Sequence, residues 1–134
     1  MITFATFVAT RLGQSDQVDH IGSGQCVDLV NDYVAAVWGR PHLVGNAVDL
    51  FGNAPAVAYL KTRNAPANWP PIGAVVTWDP TPAVGIGPYG HCALCLLADR
   101  ERLVTLDQDW PPGARVSVVV HDYRGVHGWL VDRV

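Results

Sequence analysis

The order of elements in the sequence predicts an α+β fold, with N-terminal helices packed on an antiparallel β-sheet. Three observations carry the prediction. Before Gly73, apolar residues recur at helical spacing, most clearly Val27, Val30, Val34 and Val37 after Cys26. After Gly73 they fall in short runs of strand character, such as Ala74–Trp78 and the alternating Val116, Val118 and Val120. Short turns join those runs, which favours antiparallel neighbours in a meander.

Taken in order, Ile2, Phe4, Phe7, Val8 and Leu12 suit a short packed helix. Gly13 to Gln25 is polar and reads as a long ordered loop. The helix opened by Cys26 carries Leu29, Tyr33 and Trp38 beside its valine stripe, and Gly39 is placed to stop it in a left-handed conformation. Asn46–Phe51 fits a further short helix ended by Gly52-Asn53, and Pro55 to Lys61 another helical turn. Pro70 and Pro71 bar regular structure in the crossing to the sheet. Five strands are expected: Ala74–Trp78, His91–Leu97, Leu103–Trp110, Arg115–His121 and Gly128–Asp132.

Composition bounds the function. At 134 residues the chain reads as a single domain, 1–134, able to bury one sizeable core, and 49% hydrophobic with 16% charged residues excludes disorder. A net charge of -3 with no basic run argues against nucleic acid and anionic membrane surfaces as partners. No apolar run reaches the roughly 20 residues of a membrane span. Met1–Leu12 lacks the basic lead of a secretory signal, so no signal peptide is expected. No heptad pattern calls for an oligomer, and a monomer is expected.

Chemistry collects at a few positions. Cys26, delivered by a loop bracketed by Gly22 and Gly24, opens a helix, where unpaired N–H groups and the dipole favour the nucleophilic thiolate. A buried core cysteine is the competing reading. Cys92 and Cys95 lie three apart in an apolar strand, so their thiols point to opposite faces and suit a core better than a metal or redox pair. On the His91 strand, His91, Ala93, Cys95 and Leu97 share a face; on the next, Leu103, Thr105, Asp107 and Asp109 do. A hairpin can therefore bring His91 to Asp107 and Asp109, a carboxylate orienting an imidazole that serves a nucleophile. His20, His42, His121 and His127 lie in polar or irregular stretches and read as surface or capping residues. Asp16, Asp19 and Asp28 offer oxygens for a hard cation, or belong to a solvated turn.

These residues carry a resemblance. Gly24–Val30, Pro71–Trp78, Tyr89-Gly90-His91, Leu106–Trp110 and Tyr123–Trp129, in that order, resemble the CHAP family, the cysteine- and histidine-dependent amidohydrolases and peptidases of bacteria and phages. The resemblance implies a papain-like fold and a peptidoglycan hydrolase of endolysin type. Its substrate is an amide bond of the wall, cleaved as an N-acetylmuramoyl-L-alanine amidase or an endopeptidase. Carried over by position, Cys26 is the nucleophile, His91 the base and then the acid, and Asp107 stands where the family usually has Glu. Asp109 stands where it usually has Asn, and Gln25 helps hold the oxyanion. The chemistry implied needs no cofactor. Phage members that bind calcium before the cysteine imply Asp19, Ile21, Ser23 and Asp28 as its ligands, with Gln17 where a carboxylate is expected. The implied partner is bacterial peptidoglycan, met after release from the host cytoplasm in which the protein is made. Trp78, Trp110 and Tyr89 are the aromatics expected in the groove, with at least two of the tryptophans in the core. Rival readings are a papain-like amidase of another substrate, of NlpC/P60 or toxin type, an idle muropeptide-binding module, and a structural phage protein.

Overall fold

The computed structural model describes residues 1–18 and 24–134. Among the described residues, three α-helices precede the sheet: α1 (Phe4–Arg11), α2 (Cys26–Ala36) and α3 (Ala47–Asn53). Six strands follow: β1 (Tyr59–Arg63), β2 (Val75–Trp78), β3 (His91–Ala98), β4 (Leu103–Asp107), β5 (Ser117–His121) and β6 (Val126–Asp132). They form one antiparallel sheet in the order β1-β6-β2-β3-β4-β5. The α+β expectation is met, and the helix stop at Gly39 has the left-handed φ of +64°.

The pleat divides the core in two. Val75, Cys92, Leu94, Leu106 and Leu130 face the helices and pack with Phe7, Leu29, Val30, Val34 and Leu50. Val76, Trp78, Ala93, Cys95 and Leu103 face the other way, under Ile86, Trp110 and Tyr123. Cys92 and Cys95 thus lie on opposite faces, as expected, and both are buried free thiols. Tyr33 anchors α2 to the sheet entrance, its hydroxyl donating to the Gly73 carbonyl at 2.7 Å.

Several expected details are corrected. Residues from Tyr59 onward are not helical: a single turn at Pro55 ends in β1, which pairs with β6. Only Tyr59 of this strand is buried, so it carries no apolar pattern of its own. The sheet is not a simple meander, because β6 returns between β1 and β2. The strand expected to reach Trp110 stops at Asp107, and Asp109 turns into the left-handed region at φ 63°. On β5 the inward residues are Ser117, Val119 and His121, while Val118 and Val120 are 51% and 61% exposed. Among the described residues, no helix is long and apolar enough to cross a membrane.

Candidate active site

Cys26 is the first residue of α2, after Gln25 in extended conformation (φ -99°, ψ 165°). The first-turn N–H groups of a helix have no intrahelical carbonyl, so Cys26 sits where the backbone is electropositive. Two side chains hold the loop before it. The Asp28 carboxylate accepts from the N–H of Gln25 at 2.9 Å and of Val18 at 3.2 Å. Gln108, buried just beyond β4, accepts from the Asp16 N–H at 2.6 Å and donates to the carbonyls of Asp16 and Gln25 at 2.8 and 2.7 Å. A Cβ at Gly24 would lie 2.6 Å from the Asp16 carbonyl oxygen and 2.8 Å from the Gln108 amide. Glycine is what allows these backbones to meet.

The second half of the site comes from the sheet. His91 begins β3 and Asp107 ends β4, on the same face. His91 Nε2 lies 2.7 Å from Asp107 Oδ2. The same oxygen is 2.9 Å from Nε2 of His121, and the Thr105 hydroxyl donates to Oδ1. Asp107 is wholly buried and His91 nearly so. The rings of Trp78 and Trp110 stand 5.2 and 4.9 Å from the His91 ring, walling it from water.

Electrostatics follow from this packing. The Cys26 thiol is held well below its ordinary pKa, first by a hydrogen bond from Cys92, then, against burial, by the hydrogen bond and charge of His91. Burial works against a charged His91, but hydrogen bonds to Asp107 and Cys26, and their negative charges, outweigh it and push the ring up to about 9. Burial likewise opposes ionisation of Asp107, yet the donors on His121 and His91 keep it below the usual carboxylate range. The stable state at neutral pH is a thiolate–imidazolium pair over a carboxylate. With Nε2 committed to Asp107, the other ring nitrogen, Nδ1, is the one available to the thiol. Cys26 and His91 open onto a cleft of about 650 Å³, rimmed by Gln25, Asn46, Tyr89 and Trp110.

The structure therefore brings together Cys26, His91 and Asp107. It does not join Asp109 to His91. The carboxylate of Asp109 lies at the cleft but accepts from the Gly113 N–H at 2.5 Å, because the strand ends before it and strand parity no longer applies. Gln25 lines the cleft with an exposed side chain, but its backbone N–H is taken by Asp28, leaving only the side chain for an oxyanion. Trp110 and Tyr89 line the cleft as expected, whereas Trp78, 1% exposed, packs in the core with Trp129. Of the candidate calcium ligands, Asp19, Ile21 and Ser23 lie outside the described residues. Asp28 faces the loop as described, and nearby Asp16 has a buried carboxylate oxygen, Oδ2, that lies 4.0 Å from Arg11 Nε and has no hydrogen-bond partner among the described residues. Such hard-oxygen donors suit calcium.

Two contributors escaped the sequence reading. His121 is not a surface residue but a partly buried partner of Asp107. Its signal was the alternation that places it with Ser117 and Val119 rather than with Val118 and Val120. Gln108, between two candidate carboxylates, had no sequence signal, because its partners are backbone atoms far along the chain.

The sequence profile of the CHAP domain matches residues 15–109. Endolysin PlyTW of Staphylococcus phage Twort is 26% identical over 131 residues, covering 90% of this chain and 27% of the relative. The chain thus spans about a quarter of that curated relative. Among solved structures, endolysin LysIME-EF1 superposes with a TM-score of 0.80 at 22% identity, covering 98% of this chain and 64% of that one. Ly7917, crystallised with the hydrolyzing product of MDP, gives 0.71 at 16% identity, covering 94% and 60%.

Proposed function

The chain belongs to the CHAP domain family, and from that premise we propose that it is a peptidoglycan hydrolase that cleaves an amide bond through a cysteine acyl-enzyme. The observation that carries the proposal is the thiolate-stabilising placement of Cys26 beside an imidazolium that is itself held by a buried carboxylate. A stable pair of this kind is a poised nucleophile and acid, more than a binding module needs. The endolysin relatives supply the substrate class.

In the proposed reaction the Cys26 thiolate attacks the amide carbonyl. N–H groups of the first turn of α2, with the Gln25 side chain, bind the developing oxyanion. His91 passes its proton to the departing amine, then takes one from water as the water attacks the thioester, which frees the carboxylic acid and restores the thiolate–imidazolium pair. Asp107 holds Nε2–H of His91 throughout, and Trp78 and Trp110 keep the ring desolvated. Asp109 sits at the rim of the cleft. A calcium ion would be held by Asp28 with Asp19 and the carbonyls of Ile21 and Ser23, where it would fix the loop leading to Cys26.

The deciding experiment is mass spectrometry of soluble products from purified cell walls, wild type beside Cys26→Ala, with and without EDTA. Muropeptides released only by the wild type are expected, and their new termini name the bond. A folded wild type that releases nothing from several wall types sinks the lytic reading. Loss of release and of thermal stability in EDTA, both restored by calcium, is expected of the loop site.

A further inference from the structure

The buried carboxylate of the site has two more contacts than a simple triad needs. A cysteine–histidine–carboxylate arrangement needs a single contact between ring and acid. Here Asp107 takes three: the Thr105 hydroxyl on Oδ1, and two imidazole nitrogens on Oδ2 at 2.7 and 2.9 Å. His121 is no bystander, for its side chain is only 8% exposed and lies between the rings of Trp78 and Trp110 at 4.8 and 5.1 Å. It comes from β5, two strands from His91, so its place on the acid is independent of the β3–β4 hairpin.

We infer that His121 is a positioning residue: donating from Nε2 to the same oxygen that holds His91, it fixes the Asp107 carboxylate and with it the orientation of the catalytic imidazole. For one oxygen to accept from both ring nitrogens each must carry a proton, the arrangement favoured by a carboxylate held below its usual range. A buried ionised carboxylate needs its lone pairs filled to stay charged and to stay still. His91 alone fills one. Thr105 and His121 fill others from two directions, which leaves the carboxylate plane no freedom to rotate.

His121 also borders a second cavity, of about 170 Å³, behind the site. Charged groups reach it from several elements: Asp107 on β4, His91 on β3, and Asp122 and Arg124 in the turn after β5. Asp122 and Arg124 are paired with each other at 2.9 Å. Asp107 is therefore the anion that His121 serves.

The inference rests on the thiolate–imidazolium reading but can fail separately from it. Alkylation of Cys26 by iodoacetamide, followed against pH, needs no substrate, and its upper step reports loss of the His91 proton. In His121→Leu the competing donor is gone and Oδ2 of Asp107 is left to His91 alone, so that step moves to higher pH. Wall hydrolysis by the same variant falls in kcat roughly ten- to a hundredfold, as when a partner orienting an essential histidine is removed, with KM unchanged. His121→Gln, which keeps an N–H donor but cannot titrate, restores both. A folded His121→Leu with the wild-type alkylation profile and kcat overturns the inference. Should that variant not fold, nitrogen-15 NMR of the wild-type histidines decides. Nε2–H on both His91 and His121 supports the inference; a His121 protonated only on Nδ1 refutes it.

Discussion

Replacing Gln108 by leucine should loosen the nucleophile's loop more than the core. The side chain makes three hydrogen bonds at 2.6 to 2.8 Å, all to backbone atoms of Asp16 and Gln25. Each is worth about 1 kcal/mol net, so the loss is about 3 kcal/mol where water does not replace it. A chain of this length unfolds with an entropy of about 0.28 kcal/mol per kelvin near its midpoint, which makes the shift in Tm roughly 10 °C. Leucine has nearly the volume of glutamine, so no cavity adds to this. Below the new Tm, kcat should fall as well, because Gln25 is the residue before the nucleophile. Differential scanning calorimetry and the wall-release assay check the two effects. A sharper variant is Gln108→Glu. It keeps the acceptor for the Asp16 N–H but, when ionised, sets a carboxylate against two carbonyl oxygens. Its folded pKa is thereby raised above the unfolded value, so its stability is greatest at low pH and is lost as pH rises through the folded pKa. Should Gln108→Leu melt within 2 °C of wild type, by an allowance of about 0.5 kcal/mol, the anchoring role is refuted.

Further outcomes follow from the same geometry. Asp107→Asn removes the charge that holds His91 and should lower kcat by about 10²- to 10⁴-fold, whereas Asp109→Asn, whose carboxylate serves Gly113, should change it by less than about tenfold; parallel kinetics on one wall substrate compare them. His91, raised to about 9, is the imidazolium at neutral pH, so kcat should fall as pH rises through about 9, and the stability it contributes, full below its unfolded value of about 6.5, is lost over the same rise; rate and Tm profiles read both. Gly90→Ala puts a Cβ 2.5 Å from the Trp78 carbonyl oxygen at a φ of +71°, and should cost at least about 2 kcal/mol by denaturant titration while displacing His91.

How much was legible in the sequence depended on how local each signal was. Cys26 and its helix announce themselves through spacing within one turn and a glycine stop, and the structure has both. His91 and Asp107 were legible because parity along two neighbouring strands is fixed by the pleat. Asp109 was misread as continuing that parity, since nothing local marks where β4 leaves the sheet. The edge strand β1 was misread because an edge strand is defined by its partner β6, and Tyr59 alone is its apolar contribution to the core.

The sequence by itself determined the α+β class, the helix that presents the thiol, the opposite facing of Cys92 and Cys95, and the strand parity that puts His91 on the face of Asp107. All of these follow from periods of two or 3.6 residues acting over short spans. Only the tertiary structure decided that β6 returns beside β2, that Gln108 clamps the loop before the nucleophile, and that His121 joins His91 on one carboxylate oxygen. Those contacts bridge segments 14 to 92 residues apart, and in each case the partner is chosen by burial and by an unsatisfied polar group rather than by neighbouring residues.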